Sequence, residues 1–345
     1  MLKIDNEIAL DFSDVLIKPK ISAKSMTRGD IDVTVDYGYF KGTPIVIAEM
    51  LSIGTYKMAK ALVGQDIITF IHKEYSVEEH LRNLFAIDDT SHIGITSGVN
   101  QKDIDKTIEI LSMVEVGFIN IHIANVYTNV DGICEAIKQF KNRFPHIPVV
   151  AGVIATPELV KILAKAGADI IRVGVGSGAA CKTRSEVGVG VPQFTALSDC
   201  SVEAKKYDVK ILACGGITNA GDVAKAIGIG ADFVILGSMV AGSSECDNII
   251  EIDNKKYVNF YGLGSFKQYE KHGISQKNYR PNEGRDLMIP VVGSVNKVIN
   301  QVKGGLRSAC TYVGAPSLSE LYDNVTFVRV NNQINTTMER YEQRS

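Results

Sequence analysis

The chain has 345 residues, 45% of them hydrophobic and 22% charged, with a net charge of −2. This is globular composition with ample length for a core, and the near-neutral balance excludes a general electrostatic attraction to nucleic acid or to a membrane surface. No apolar run approaches the roughly 20 residues of a membrane span, and the acids scattered through MLKIDNEIALDFSDV are unlike a secretory leader. Six cysteines (134, 181, 200, 214, 246 and 310) lack CxxC pairs and histidine partners at ligand spacing. A reduced, cytoplasmic protein with neither a disulfide framework nor a zinc site is expected.

Residues 1–44 read as an irregular lead-in with turn signals at Lys18-Pro19 and Lys41-Gly42-Thr43-Pro44. Short apolar runs then alternate with longer amphipathic stretches. The runs are 44–50, 67–72, 92–99, 117–124, 147–154, 169–176, 209–216 and 232–238, mostly continuous in Val and Ile, the pattern of parallel strands covered on both faces. Between them, 76–87 opens on a serine N-cap signal and Thr156-Pro157-Glu158 puts proline at a first helical position. Ile104, Ile108 and Leu111 follow helical spacing within 102–114. ELVKILAKAGADI and DVAKAIGIGADFV share a cadence of helix, Gly-Ala-Asp and strand, which suggests repeated βα units.

Eight strands with intervening helices, the last helix supplied by 294–314, predict an α/β fold, a (β/α)8 TIM barrel spanning 1–345 as a single domain. A doubly wound open sheet is the competing architecture, but no G-x-G-x-x-G follows the first strand. The repeat is broken at 240–293. There a hairpin signal across Asp253-Asn254 leads into a polar arm, SFKQYEKHGISQKNYRPNEGRD. A long polar loop at the rim reads as an active-site flap, or else as a surface excursion or oligomer contact.

In a barrel, chemistry sits on the loops after the strands. Glu49, Lys73, Thr96-Ser97-Gly98, Asn125, Cys181, Gly215-Gly216 and Gly237-Ser238 all fall there. The loop IIRVGVGSGAACKTRSEVGVGVPQ places Cys181 among glycines, with Lys182 and Arg184 near enough to favour a thiolate. The alternative is a small buried residue beside a structural turn. Cys214-Gly215-Gly216 and Leu236-Gly237-Ser238 offer backbone N–H groups to an anion, reinforced by the helix that begins near Asn219. Thr183 and Glu283 fit a hydroxyl–carboxylate pair for proton transfer beside a cysteine nucleophile, and Arg280 and Lys73 face the same rim. Protease-type Cys–His chemistry is disfavoured, with His272 on the flap as the exception. The residues thus describe a barrel enzyme forming a cysteine adduct with a phosphorylated ligand.

Over almost its whole length the chain also resembles the IMP dehydrogenase/GMP reductase family. The motifs are LDFSDVLIKPK, GADIIRVGVGSGAACKTRSEVGVGVPQ, GDVAKAIGIGADFVILGSMVAGSSE, KKYVNFYG, YRPNEG and GGLRSACTYVGAPSLSEL. CKTR…VGVGVPQ, the compact flap and the absence of room for a regulatory domain pair favour the reductase branch. The resemblance implies NADPH-dependent reductive deamination of a purine nucleotide monophosphate, GMP to IMP and ammonia, through a Cys181 thioimidate. Thr183 and Glu283 match the proton-transfer pair, and Lys73 a lysine near the leaving group and nicotinamide. Cys214, Gly215, Gly216, Gly237, Ser238, Gly264, Ser265, Arg280 and Gly284 align with substrate-binding positions. Lys73, Thr96, Ser97, His122, Ile123, Ala124, Val175, Gly176, Tyr279, Arg280, Ser308 and Thr311 lie where the cofactor is expected. Backbone carbonyls of Gly176, Gly178, Cys181 and Arg184 correspond to a potassium site, and the family assembly implied is a homotetramer.

Four departures stand beside the matches. The family's Asp-Gly-Gly, whose carboxylate accepts both ribose hydroxyls, reads Cys214-Gly215-Gly216. Asn-Met-Asp after the first strand reads Glu49-Met50-Leu51, the aspartate of Asp-x-Ala-Asn-Gly has become His122, and Gly-Pro-Gly reads Gly176-Ser177-Gly178. Losing a charge-assisted acceptor costs about 1.5–3 kcal/mol per bond. These changes open the same chemistry on a 2′-deoxy or modified purine nucleotide as an alternative, alongside a non-catalytic nucleotide-binding protein and a deaminating transferase without hydride transfer.

Overall fold

Continuous runs of Val and Ile build the frame of the protein. The computed structural model describes residues 7–22, 25–262, 265 and 281–331. Eight strands, β1 (Ile45–Ile47), β2 (Ile68–Ile71), β3 (Ile93–Ser97), β4 (Phe118–His122), β5 (Val149–Ile154), β6 (Ile170–Val173), β7 (Lys210–Cys214) and β8 (Phe233–Leu236), close into one barrel. Every neighbouring pair is parallel, and β8 returns to β1 through Val234–Ile45 and Leu236–Ile47. Each predicted apolar run therefore contains one barrel strand, and the open-sheet alternative is excluded by the closure.

The helices fall where their caps place them. They are α1 (Tyr56–Ala61), α2 (Val77–Leu84), α3 (Gln101–Leu111), α4 (Val130–Arg143), α5 (Pro157–Ala166), α6 (Gln193–Ala204), α7 (Ala220–Gly228) and α8 (Val295–Val313). Ser76 and Glu79 form a reciprocal capping box on α2, Pro157 opens α5, and Asn219 caps α7 by accepting the Asp222 N–H. Gly167 and Gly314 end α5 and α8 in the left-handed conformation.

The lead-in is less irregular than its turn signals suggest. A two-residue ribbon pairs Val35 with Gly42, and its tip puts Tyr37, Tyr39 and Phe40 against the N-terminal end of the barrel. Phe40 packs on Phe118 and Phe233 with ring centroids 6.2 and 5.3 Å apart, closing that end with aromatic surface. Strand Val15–Ile17 pairs antiparallel with Phe327–Arg329 near the chain's end, a contact between segments too remote to read from local pattern.

Between β8 and α8 the hairpin signal is realised as β9 (Ile249–Ile252) and β10 (Lys255–Tyr261). Asp253 and Asn254 both take positive φ, 50° and 60°, as a two-residue hairpin turn with right-handed strand twist requires. A third strand, β11 (Asp286–Pro290), pairs with β10 where the polar arm was expected to run on as loop. It hangs the residues just before it, Glu283 and Gly284, over the barrel mouth.

Candidate active site

The loop after β6 makes two unusual turns before it reaches Cys181. Gly174 has φ +150° and Gly176 +79°. A Cβ on Gly174 would lie 1.8 Å from the Cys214 carbonyl oxygen, so only glycine lets the ends of β6 and β7 approach this closely. Gly174→Ala is expected to destabilise the fold by roughly 1–3 kcal/mol, read as a lower melting temperature.

Beyond these turns, Cys181 and Gly284 form an isolated antiparallel bridge. The Lys182 N–H donates to the Glu283 carbonyl at 2.7 Å and the Arg285 N–H to the Ala180 carbonyl at 2.9 Å. Backbone bonds thus clamp the cysteine loop to the insertion. The clamp sets up a side-chain relay: Cys181 Sγ lies 3.2 Å from Thr183 Oγ1, which donates to Glu283 Oε2 at 2.7 Å. All three side chains are partly buried, screened from bulk water yet open to the mouth. A thiol whose proton can pass through a hydroxyl to a carboxylate is an activated nucleophile. Of the neighbouring cations expected to favour a thiolate, Arg184 is engaged elsewhere. Arg184 turns its guanidinium to Asp11, with contacts of 2.5 and 3.1 Å.

A cavity of about 490 Å³ opens beside this relay, within the range of small-molecule sites. It brings together Cys181, Thr183, Glu283, Cys214, Gly215, Gly216, Gly237, Ser238, His122, Ala124, Val175, Gly176 and Gly178. Gly215 and Gly216 have φ +94° and +77°, consecutive left-handed residues on the cavity wall. The first turn of α7 is already capped by Asn219, and Asp222 accepts from Thr218.

Other predicted residues lie elsewhere. Lys73 is paired with Asp103 at 2.9 Å, and Lys73, Thr96, Ser97 and Ile123 are not among the cavity-lining residues. Thr96 accepts from Asn120, and Ser97 donates to the Gly98 carbonyl. Ser308 and Thr311 sit on α8 with their hydroxyls bonded to their own helix, away from the cavity. Ser265 is fully buried and Gly284 is buried under the clamp. Gly264, Tyr279, Arg280 and His272 lie outside the described residues.

One cavity-lining residue was not foreseen, and it joins three that were named singly. Arg172, in the middle of β6, is 4% exposed. It donates from Nη1 to Glu49 Oε1 at 2.8 Å and from Nε to Cys214 Sγ at 3.2 Å. Glu49 Oε1 also meets His122 Nδ1 at 2.5 Å. Three of the four departures in the motifs are thus parts of one buried network held by Arg172. Burial alone would push the Glu49 carboxyl up, but the Arg172 charge and the His122 contact hold it well below the usual carboxylate range. Burial, aided by Arg172, keeps the His122 imidazole below its ordinary value against the pull of Glu49. Burial raises the Cys214 thiol despite Arg172. A lone arginine inside an apolar strand was the available signal, since a buried guanidinium demands a buried acid.

The chain has relatives along nearly its whole length. A model of the IMP dehydrogenase / GMP reductase domain matches residues 9–338. GMP reductase 2 of Homo sapiens is 40% identical over 346 residues, covering 97% of this chain and 98% of the relative. The GMP reductase of Shewanella halifaxensis is 40% identical with 97% and 98% covered. That of Onchocerca volvulus is 38% identical with 99% and 96% covered.

Proposed function

We infer the function from one premise: this chain belongs to the IMP dehydrogenase/GMP reductase family. It is a GMP reductase-type oxidoreductase of purine metabolism that converts GMP to IMP and ammonia. The observation that carries this reading is the Cys181–Thr183–Glu283 relay at the mouth of the family barrel. In the proposed chemistry the Cys181 sulfur attacks C2 of the purine while its proton passes through Thr183 to Glu283. Glu283 returns that proton to the exocyclic amine as the C2–N bond breaks, ammonia departs, and a thioimidate joins Cys181 to the base. NADPH supplies a hydride to C2 when bound. As the C–S bond breaks, the sulfur takes up a proton from solvent by way of Glu283 and Thr183, and IMP is released.

The lining suits these ligands. Ala124, Val153 and Val175 give apolar surface for a nicotinamide ring, and Gly215, Gly216, Gly237 and Ser238 would receive the phosphate. Gly264, Ser265, Arg280 and Gly284 are assigned to the nucleotide, and Lys73, Thr96, Ser97, Ile123 and Tyr279 to the cofactor. Potassium is assigned to the carbonyls of Gly176, Gly178, Cys181 and Arg184. Carbonyl oxygens suit that ion. Because Ser308 and Thr311 stand away from their own cavity, they would touch cofactor across a subunit boundary, in keeping with a homotetramer. A cytoplasmic location accords with the six free cysteines, and no helix among the described residues is long and apolar enough to cross a membrane. The chain is read as one barrel domain over 1–345, with 240–293 as its flap insertion.

Incubation with GMP and NADPH is expected to yield IMP, ammonia and oxidised cofactor in equal amounts; no cofactor oxidation with any guanine nucleotide would refute the assignment. Glu283→Gln is expected to lower kcat about 100-fold with nucleotide affinity preserved, measured by steady-state kinetics and calorimetry.

A second reading rests on Cys214. Its sulfur takes a hydrogen bond from Arg172 and burial keeps it a thiol, so it offers no carboxylate to sugar hydroxyls. That is the observation behind the alternative of the same chemistry on dGMP or a modified purine nucleotide. A strong kcat/KM preference for GMP over dGMP would exclude the deoxy version.

A further inference from the structure

We propose that His122 and Glu49 form an acceptor pair in the mouth cavity that binds the N–H groups of a primary amino or carboxamide function on a ligand. This inference rests on the reading of the cavity as a purine-nucleotide and nicotinamide site. The starting point is the hydrogen-bond inventory. Glu49 is 3% exposed, its Oε1 serves both His122 and Arg172, and its Oε2 is buried with no partner among the described residues. A buried carboxylate oxygen left without a donor costs free energy in the empty site that a bound N–H group would recover.

His122 supplies the second acceptor. Glu49 is ionised, so the proton between them sits on Nδ1 and is donated to Oε1. With Arg172 held against the same carboxylate, the imidazole stays neutral, and Nε2 keeps its lone pair. The charged and titratable groups facing this pair are Arg172 from β6, Cys214 from β7 and Lys73 from the end of β2. Arg172 is committed to Glu49 Oε1 and Cys214 Sγ, and Lys73 to Asp103. Both acceptors therefore wait for a donor brought from outside.

A guanine base carries such a donor in its exocyclic amine, and a nicotinamide in its carboxamide. Hypoxanthine has hydrogen at the amine's position and xanthine an oxygen, which is itself an acceptor. His122 is thus assigned a specificity role, and Glu49 acts both as an acceptor and by fixing the imidazole tautomer.

Glu49→Gln is the discriminating variant, because its amide replaces one acceptor by a donor whichever way it turns. Either its nitrogen takes the place of Oε2, or it faces Nδ1 and forces the imidazole proton onto Nε2. Calorimetric affinities for GMP, IMP and XMP, measured in a Cys181→Ala background so that no adduct forms, make one arm. Affinities for NADPH and its reduced 3-acetylpyridine analogue, which lacks the amide N–H, form the other. If the base is the donor, Glu49→Gln weakens GMP about tenfold, leaves IMP unchanged and improves XMP relative to both. If the carboxamide is the donor, NADPH weakens and the analogue does not. His122→Asn, which keeps a small polar side chain, should lose the same discrimination, and its melting temperature reports whether it folds. Affinity ratios unchanged from wild type in both arms would overturn the acceptor pair while leaving the reductase reading intact. Failure of the wild type to bind any of the three nucleotides would overturn both.

Discussion

Cys181→Ala is expected to reduce kcat by about four orders of magnitude or more, with GMP affinity within a few fold of wild type. A nucleophile that splits one hard substitution into two easier steps cannot be bypassed by the remaining site, and removing it costs nearly the whole of the covalent route. Serine should fare little better than alanine, because a hydroxyl is a far weaker nucleophile near neutral pH than a thiol passing its proton to Glu283 through Thr183. Binding should survive because the anion corner at Gly215 and Gly216 and the network around Arg172 do not touch the sulfur of Cys181. Single-turnover kinetics with GMP in the absence of NADPH, followed by mass spectrometry of the intact protein, should show an adduct in the wild type and none in either variant. Turnover in the alanine variant at near wild-type rate would end the covalent account.

Arg172→Met is expected to cost roughly 3–5 kcal/mol of stability. The side-chain volume is nearly preserved, so the loss comes from leaving buried Glu49 with only its His122 contact in place of the guanidinium charge. The pH dependence separates this cause from a packing defect. In the wild type the folded-state value of Glu49 is depressed, so its stabilising contribution is present above the ordinary carboxylate value of 4.5 and is lost as the pH falls below it. With Arg172 gone, burial raises the Glu49 pKa above the unfolded value. The sign then inverts: the folded variant is least penalised at low pH and loses stability as the pH rises through the new value. Chemical denaturation of both proteins between pH 5 and about 8 should show a gap that widens with pH. A gap independent of pH would assign the loss to packing.

Much of the fold was legible because barrel strands buried on both faces leave a continuous apolar signature, and because Ser76, Pro157 and Asn219 announce their helices. The aromatic stopper at Tyr37, Tyr39 and Phe40 was hidden because its turn residues look like ordinary loop, and what makes it order is the far end of the barrel. β11 was missed because five residues after a polar arm carry no period of their own and take their register from β10. In the site, Cys181, Thr183 and Glu283 could be named from a nucleophile loop and from family motifs. The Arg172–Glu49 pair could not, since the partners are 123 positions apart and nothing local says which acid answers the buried arginine. Pairing across a closed barrel is set by strand order, which local pattern does not contain.

The bridge between Cys181 and Gly284 ties the reactive loop to a segment a hundred positions downstream, outside the barrel repeat. The sulfur and the carboxylate that would serve it therefore meet only when the inserted sheet is seated. Partial detachment of that sheet would disarm the thiol while the eight-stranded cylinder stayed whole, so loss of competence and loss of fold are separable events in this architecture.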